Sequence, residues 1–387
     1  MVLIPEWTGI VTTGPGRHDV RKANLPRRVN VPRAPGEPDA GEGAFADDGT
    51  ITLRVADPDH ALAGVRLQQD AGIPADRLDF HCAGDEWELR VERPPVDRLE
   101  YLLELRYPGG GSKVVTDPAN PRQAEGAFGR KSVLEFAGYA EPGWLLAPAD
   151  PGTAISLEIP AAVLHSAVAV RIWSPAGSRE DEALPLLVVH DGPEYDALAG
   201  LTRYLGAGVS GGWLPRMRAA LLSPGQRNNW YSANPRYARV LAEQVIPAVT
   251  QAVASTVRIG MGTSLGALAM LHAHCRHPGV ADGLFLQSGS FFVPALDSQE
   301  RRFPYYRRIT AFTAALQAGG VPDVPVPVAM TCGEIEENGA NNRLILALLR
   351  SAGYPASLHE VADVHNYTAW RDALDPCLAE LVRLVTR

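Results

Sequence analysis

Gly262-Thr263-Ser264-Leu265-Gly266 has the spacing G-x-S-x-G, which puts a serine between small residues where a strand gives way to a helix. The β-branched run from Thr256 to Ile259 announces the strand, and the helix formers from Leu265 to Cys275 announce the helix. Small flanking residues let the two elements pack closely while the serine is held in a strained turn with its hydroxyl exposed. Five positions occur by chance in many chains, so the motif points to a nucleophile only if an acid and then a histidine follow it. The apolar run from Val326 to Thr331 ends in Cys332-Gly333-Glu334-Ile335-Glu336-Glu337-Asn338, which sets three glutamates just past the carboxyl end of an expected strand. Ala356 to Val361 reads as a last strand and leads into Asp363-Val364-His365-Asn366, so His365 falls in the loop behind it. Serine, carboxylate and histidine in this order are the parts of acyl transfer: the histidine takes the serine proton, and the carboxylate holds the imidazole.

Positioning three such loops requires a sheet whose strands end on one side. From residue 153 to 387 strand and helix patterns alternate, which predicts an α/β domain built on a mostly parallel sheet covered on both faces. Strands are expected at 155–159, 167–173, 184–189, 219–222, 257–261, 283–287, 326–331 and 356–361, with a helix over 342–351. Leu186-Leu187-Val188-Val189 is apolar throughout, as a central strand is, and runs into His190-Asp191-Gly192-Pro193-Glu194. In an α/β-hydrolase the loop at this place supplies one oxyanion N–H, and the residue after the nucleophile, Leu265, supplies the other.

Upstream, residues 46–140 carry β signals. Runs at 51–55, 65–67, 87–91 and 99–107 alternate or carry aromatic ends, and Gly109-Gly110-Gly111-Ser112 is expected to turn the last of them into a hairpin with 113–116. Short strands at roughly ten-residue spacing suggest a sandwich. Residues 1–45, rich in Pro, Gly and Arg, are expected to form an extended arm, and 140–152 a linker. His60 and His81 have no acid or nucleophile pattern beside them and read as surface histidines.

The composition, 46% hydrophobic and 21% charged, is that of a soluble globular protein. A formal charge of −8 gives no attractive field for nucleic acid or anionic lipid. Met1 to Ile4 is cut short by Pro5 and Glu6, too short a run for an export signal or a membrane span. Cys82, Cys275, Cys332 and Cys377 lack paired spacing, so no metal site is expected and they read as thiols of a cytoplasmic protein.

With these pieces in place, the chain resembles the enterochelin esterase family, the Fes type of ferric siderophore esterase, over most of its length. The matching pieces upstream are the Trp87 and Tyr101 strands, Asp117-Pro118-Ala119-Asn120-Pro121 and Ser132-Val133-Leu134, which are similar to that family's immunoglobulin-like amino-terminal domain. Downstream they are His190-Asp191-Gly192, Arg227 with Asn234, the elbow at Ser264, Gln287-Ser288-Gly289-Ser290, and His365-Asn366 with Trp370. Several of these also occur in esterase D and mycolyltransferase relatives, which keep a general esterase or an acyltransferase open as alternatives. A non-catalytic binding protein on a hydrolase scaffold is the third reading.

The resemblance implies Ser264 as nucleophile, His365 as general base and acid, and the carboxylate after Gly333 as orienting group. Glu336, three residues beyond Gly333, is favoured for that carboxylate over Glu334 and Glu337. The implied substrate is a small-molecule ester, a ferric catecholate siderophore, cleaved without metal or cofactor. Arg227, Trp230 and Tyr231 are expected around the pocket, the cation facing an anionic catecholate and the rings offering stacking surfaces. Two departures matter: the elbow ends Gly266-Ala267 where many relatives carry two glycines, and Pro193 has no N–H for the oxyanion. The second donor is then expected from Gly192 or Glu194.

Overall fold

The structure, a computed structural model, describes residues 44–47 and 49–387; all but the last two positions of the arm expected over 1–45 lie outside the described residues. Period-two alternation between 44 and 135 yields short strands in two antiparallel sheets. The strands are β1 (Ala44–Asp47), β2 (Thr50–Ala56), β3 (Gly64–Gln69), β4 (His81–Cys82), β5 (Glu86–Glu92), β6 (Arg98–Arg106), β7 (Ser112–Val115), β8 (Gln123–Ala124) and β9 (Lys131–Glu135). One sheet has the order β1-β2-β5-β4 and the other β3-β6-β9-β8, with β7 paired to β6 across the glycine turn. Inward residues of both, among them Ile51, Leu53, Leu67, Leu89, Leu99, Tyr101 and Leu103, form one apolar core. Val364, and the partly buried Ile335, join that core from far along the chain.

The segment expected as a linker is packed down. Trp144 is buried and meets Tyr204 edge to face at 5.2 Å, while Arg203 donates to the Leu145 carbonyl at 2.8 Å. The described residues accordingly belong to one compact unit.

Eight strands build the second part: β10 (Thr153–Ala161), β11 (Ser166–Ser174), β12 (Leu184–Val189), β13 (Arg218–Leu222), β14 (Ser255–Thr263), β15 (Gly283–Gln287), β16 (Val328–Gly333) and β17 (Ala356–Val361). Their order is β10-β11-β13-β12-β14-β15-β16-β17, antiparallel at the first two pairings and parallel thereafter, which is the arrangement of an α/β-hydrolase sheet. The strand expected over 326–331 starts two residues later and ends at Gly333. Pro325 and Pro327 lack the N–H a ladder needs, and the pairing with β17 carries on to Gly333 opposite Val361.

The helices are α1 (Gly192–Ala199), α2 (Leu201–Gly211), α3 (Arg227–Tyr231), α4 (Pro235–Val240), α5 (Ile246–Ala252), α6 (Leu265–Arg276), α7 (Tyr306–Gln317), α8 (Gly339–Ser351), α9 (Tyr367–Asp372) and α10 (Cys377–Val385). They cover both faces of the sheet, which is why β12 is apolar at every position: Leu186 and Val188 lie in one buried layer, Leu187 and Val189 in the other. Among the described residues no helix is long and apolar enough to cross a membrane.

Candidate active site

Ser264 stands between β14 and α6 with φ 56° and ψ −123°, a left-handed conformation that costs a non-glycine residue energy and persists where packing enforces it. The packing is visible at the flanking glycines. A Cβ on Gly262 would overlap the backbone of Gly266, and one on Gly266 would come within 3.0 Å of His190 Cβ and 3.5 Å of Asp191 Oδ2. The start of α6 is thus pressed against the loop that leaves β12. Ser264 N–H donates to the Gln287 carbonyl at 2.9 Å, and its own carbonyl accepts from Ser290 N–H at 3.1 Å. Its Oγ lies 3.1 Å from Ser290 Oγ; among the described residues that is the one side-chain hydrogen bond of the Ser264 hydroxyl, and none joins it to His365.

The three candidate glutamates part company at the end of β16. Glu334 and Glu337 are exposed, whereas Glu336 is 8% exposed and turns back over the strand end. Its Oε1 lies 3.6 Å from His365 Nδ1 and accepts from Cys332 Sγ at 3.0 Å; its Oε2 accepts from Ser288 Oγ at 2.8 Å and from Gly333 N–H at 3.2 Å. Burial raises the pKa of this carboxyl, but the facing imidazole and the hydrogen bonds from Cys332 and Ser288 outweigh it and hold Glu336 below the ordinary glutamate value. Gly333 makes room for the pairing, since a Cβ there would overlap the Asp363 carbonyl that opens the histidine loop. The His365 ring meets Trp370 edge to face at 4.9 Å, and Trp370 Nε1 donates to Ser288 Oγ at 2.9 Å. Asn338 Nδ2 stands 3.5 Å from His365 Nδ1.

Gly192 opens α1, and Leu265 opens α6, so the N–H groups of Gly192, Glu194 and Leu265 belong to first turns that leave them without an intrahelical acceptor. Pro193 contributes none. A Cβ on Gly192 would overlap Leu221, so this position is closed to other residues. Burial, with Asp191 nearby, raises the Glu194 carboxyl, and its Oε2 is buried without a partner among the described residues.

The three residues expected around the pocket behave differently. Arg227 is paired with Asp191, Nε to Oδ1 at 2.9 Å and Nη2 to Oδ2 at 2.8 Å, so its charge is already matched within the protein. Trp230 and Tyr231 are 1% and 0% exposed and offer no stacking surface. The single turn of α3 lies in the apolar layer shared with α4 and α6 and points both neighbouring rings inward; Trp230 stacks on Tyr237 at 5.6 Å, and Tyr231 Oη accepts from Asp191 N–H at 3.3 Å. The contacts of Ser288, Ser290 and Asn338 were not anticipated from sequence. A signal existed for the first two, because a serine pair around a glycine directly follows a strand in Gln287-Ser288-Gly289-Ser290, and Ser288 adopts φ 47°. Among the described residues no cluster of three His, Cys, Asp or Glu side chains could hold a metal ion, and the four cysteines are free.

Fold and site together are those of an α/β-hydrolase scaffold with a serine at the elbow after β14 and a carboxylate–histidine pair on the loops after β16 and β17. The same fold is found in the enterobactin esterase of Shigella flexneri crystallised in the presence of enterobactin, with TM-score 0.70 and 19% identity over 87% of this chain and 94% of that one. It is found also in the ferric enterobactin esterase of Salmonella typhimurium, with TM-score 0.72 and 18% identity over 87% of this chain and 95% of that one. No protein-family model matches the chain, and no curated protein does. The structural likeness therefore falls on the fold of the family that the sequence resembles.

Proposed function

We propose that the protein is a serine carboxylic-ester hydrolase that cleaves the ester bonds of a catecholate siderophore, in its ferric form or as linear products. The observation that carries the reading is the buried Glu336 carboxylate facing His365 Nδ1 at 3.6 Å, bonded to Ser288 in the same short segment whose Ser290 bonds Ser264 Oγ. In this reading Ser264 Oγ exchanges its bond with Ser290 for one with His365 Nε2 as substrate binds, a tightening expected when a free site becomes a complex. Oγ attacks the ester carbonyl while the imidazole takes its proton, and Glu336 stabilises the imidazolium. The N–H groups of Leu265 and of Gly192 or Glu194 hold the oxyanion. His365 returns the proton to the departing alcohol, and water, activated by the same imidazole, releases the acid from the acyl-serine.

The siderophore substrate is supported by the shared fold with two enterobactin esterases and by the sequence pieces that resemble that family. We read the two upstream sheets as the immunoglobulin-like domain of the same family, and the four free thiols suit a reducing compartment, the cytoplasm. Incubation with enterobactin, free and ferric, and mass spectrometry of the products test the proposal. Wild type should release 2,3-dihydroxy-N-benzoyl-serine and its linear oligomers, and Ser264→Ala should lose about a thousandfold or more in turnover while keeping its circular dichroism spectrum. Undiminished turnover by Ser264→Ala would remove this mechanism, and acyl transfer to an added alcohol in place of water would make the protein a transferase.

A further inference from the structure

The two loops that carry Glu336 and His365 are each anchored one residue earlier in the upstream sandwich. Ile335 packs against the sandwich core, and Val364, 6% exposed, is part of it. A polar anchor accompanies these apolar ones. Arg98, the first residue of β6 and 3% exposed, points Nη1 at Asp363 Oδ2 and at Glu100 Oε1, each at 3.4 Å, and its guanidinium lies 5.2 Å from the Tyr139 ring. The other oxygen of Asp363 accepts from Val364 N–H at 2.7 Å and from Asn366 Nδ2 at 2.8 Å, so one carboxylate ties Arg98 to the residues on both sides of His365. Asn366 Oδ1 in turn caps α9 by accepting from Ala369 N–H at 2.7 Å, and α9 carries the Trp370 that supports Ser288 and the histidine ring. Two more links run in parallel: Asp97 N–H donates to the Ala362 carbonyl at 2.7 Å, and Tyr139 Oη donates to Asp372 at 2.9 Å.

We propose that Arg98 is a positioning residue of the ester-hydrolysis site, fixing the His365 loop through Asp363, so that the upstream sandwich is a working part of the active site. The proposal rests on the reading of His365 as the base. A buried guanidinium held by two carboxylates has one arrangement of low energy, and the loop bonded to it inherits that definition. Without it the histidine loop keeps its strand, its helix and its apolar anchor but loses the polar contact that fixes Asp363, the residue bonded on both sides of His365. A displacement of about 1 Å at a catalytic group is enough to cost up to a hundredfold in rate.

The test uses the full chain with two readouts: steady-state hydrolysis of an ester that wild type turns over, and the rate at which a fluorophosphonate labels Ser264. Arg98→Met should lower kcat and the labelling rate by about tenfold to a hundredfold while KM stays within about threefold, and Arg98→Lys, which restores the cation, should recover to within about fivefold of wild type. Arg98→Met in combination with Asp363→Asn should be no slower than the worse single variant, because both cut one link. A folded Arg98→Met that labels and turns over like wild type overturns the proposal, as does Arg98→Lys no better than Arg98→Met. Should Arg98→Met fail to fold with Glu100 and Asp363 left unmatched, Asp363→Asn carries the same test, with a loss in kcat expected and wild-type kcat overturning the idea. Failure of the underlying reading looks different: wild type itself would then neither label nor hydrolyse, or Ser264→Ala would label as wild type does.

Discussion

Replacing Glu336 by glutamine keeps the size of the side chain and an oxygen for Ser288 and Gly333 to bond, and removes the charge that faces His365. The charge–charge distance is 3.6 Å, and the histidine side chain is 32% exposed. A unit pair at that separation interacts by about 4.6 kcal/mol at an effective dielectric of about 20 and by about 1.2 kcal/mol in water. A ring that is one-third exposed lies between these limits, which gives about 3 kcal/mol of imidazolium stabilisation, on the order of a hundredfold in rate. The charge acts when the imidazole is protonated, in the transition state, so the loss belongs to kcat and KM should stay within about threefold. Glu334 and Glu337 are exposed and their glutamine variants should remain within about threefold of wild type. The assay is steady-state hydrolysis of one ester by all four proteins at matched folded concentration. Glu336→Gln within about tenfold of wild type would show that Ser264 and His365 work as a dyad, and a crippled Glu334→Gln would show that the loop turns differently in solution.

Ser290→Ala removes the resting partner of the nucleophile. If that bond is made in the free protein and given up on attack, its loss should leave kcat/KM unchanged or raise it by up to about fivefold, the worth of one neutral hydrogen bond; a fall beyond about tenfold would show instead that Ser290 acts in the transition state. The two buried carboxyls beside the histidine loop should give stability opposite dependences on pH. Burial, opposed by Arg98 and the bonds from Val364 and Asn366 and reinforced by Glu100, raises Asp363 from 3.8 to about 6, so its contribution is fully present below about 3.8 and is lost as pH rises through about 6. Glu336 is held below 4.5, so its contribution is present above about 4.5 and is lost as pH falls through the lowered value. Denaturant midpoints across the acid range should show the stability of wild type relative to Asp363→Asn falling as pH rises, and relative to Glu336→Gln rising with it; two differences of the same sign would refute the assignment.

What could be read from sequence is what neighbours in sequence decide. The elbow was legible because strand, turn and helix are contiguous and the two glycines that let them pack stand within five positions of each other. The α/β part was legible because β12, buried on both faces, is apolar at every residue, and the upstream hairpin was legible because the glycine turn closes β6 onto β7. The acid was narrowed to three glutamates, and a choice among them needs to know which one folds back over Gly333, a matter of burial that spacing alone does not state. Trp230 and Tyr231 were misplaced because an arginine beside aromatic residues looks the same whether the rings face a ligand or the core. Arg98 gave no signal at all. Its partner lies 265 residues away, and an arginine at the start of a strand ordinarily reads as surface.

The long span between Arg98 and Asp363 also has a meaning in time. Chains are made from the amino end, and the upstream sheets are complete in sequence once β9 has been synthesised. At that moment Arg98 and Glu100 are in hand, but Ile335, Val364 and Asp363 do not yet exist, so the sandwich waits with part of its core open and its guanidinium matched by one carboxylate instead of two. The loop behind β16 brings Ile335, and the loop behind the last strand then closes both deficits with Val364 and Asp363; that second loop bears the histidine. A newborn chain therefore gains the final part of its oldest core and the final part of its catalytic apparatus together, and a nascent protein interrupted before residue 363 would hold a serine elbow with nothing to activate it.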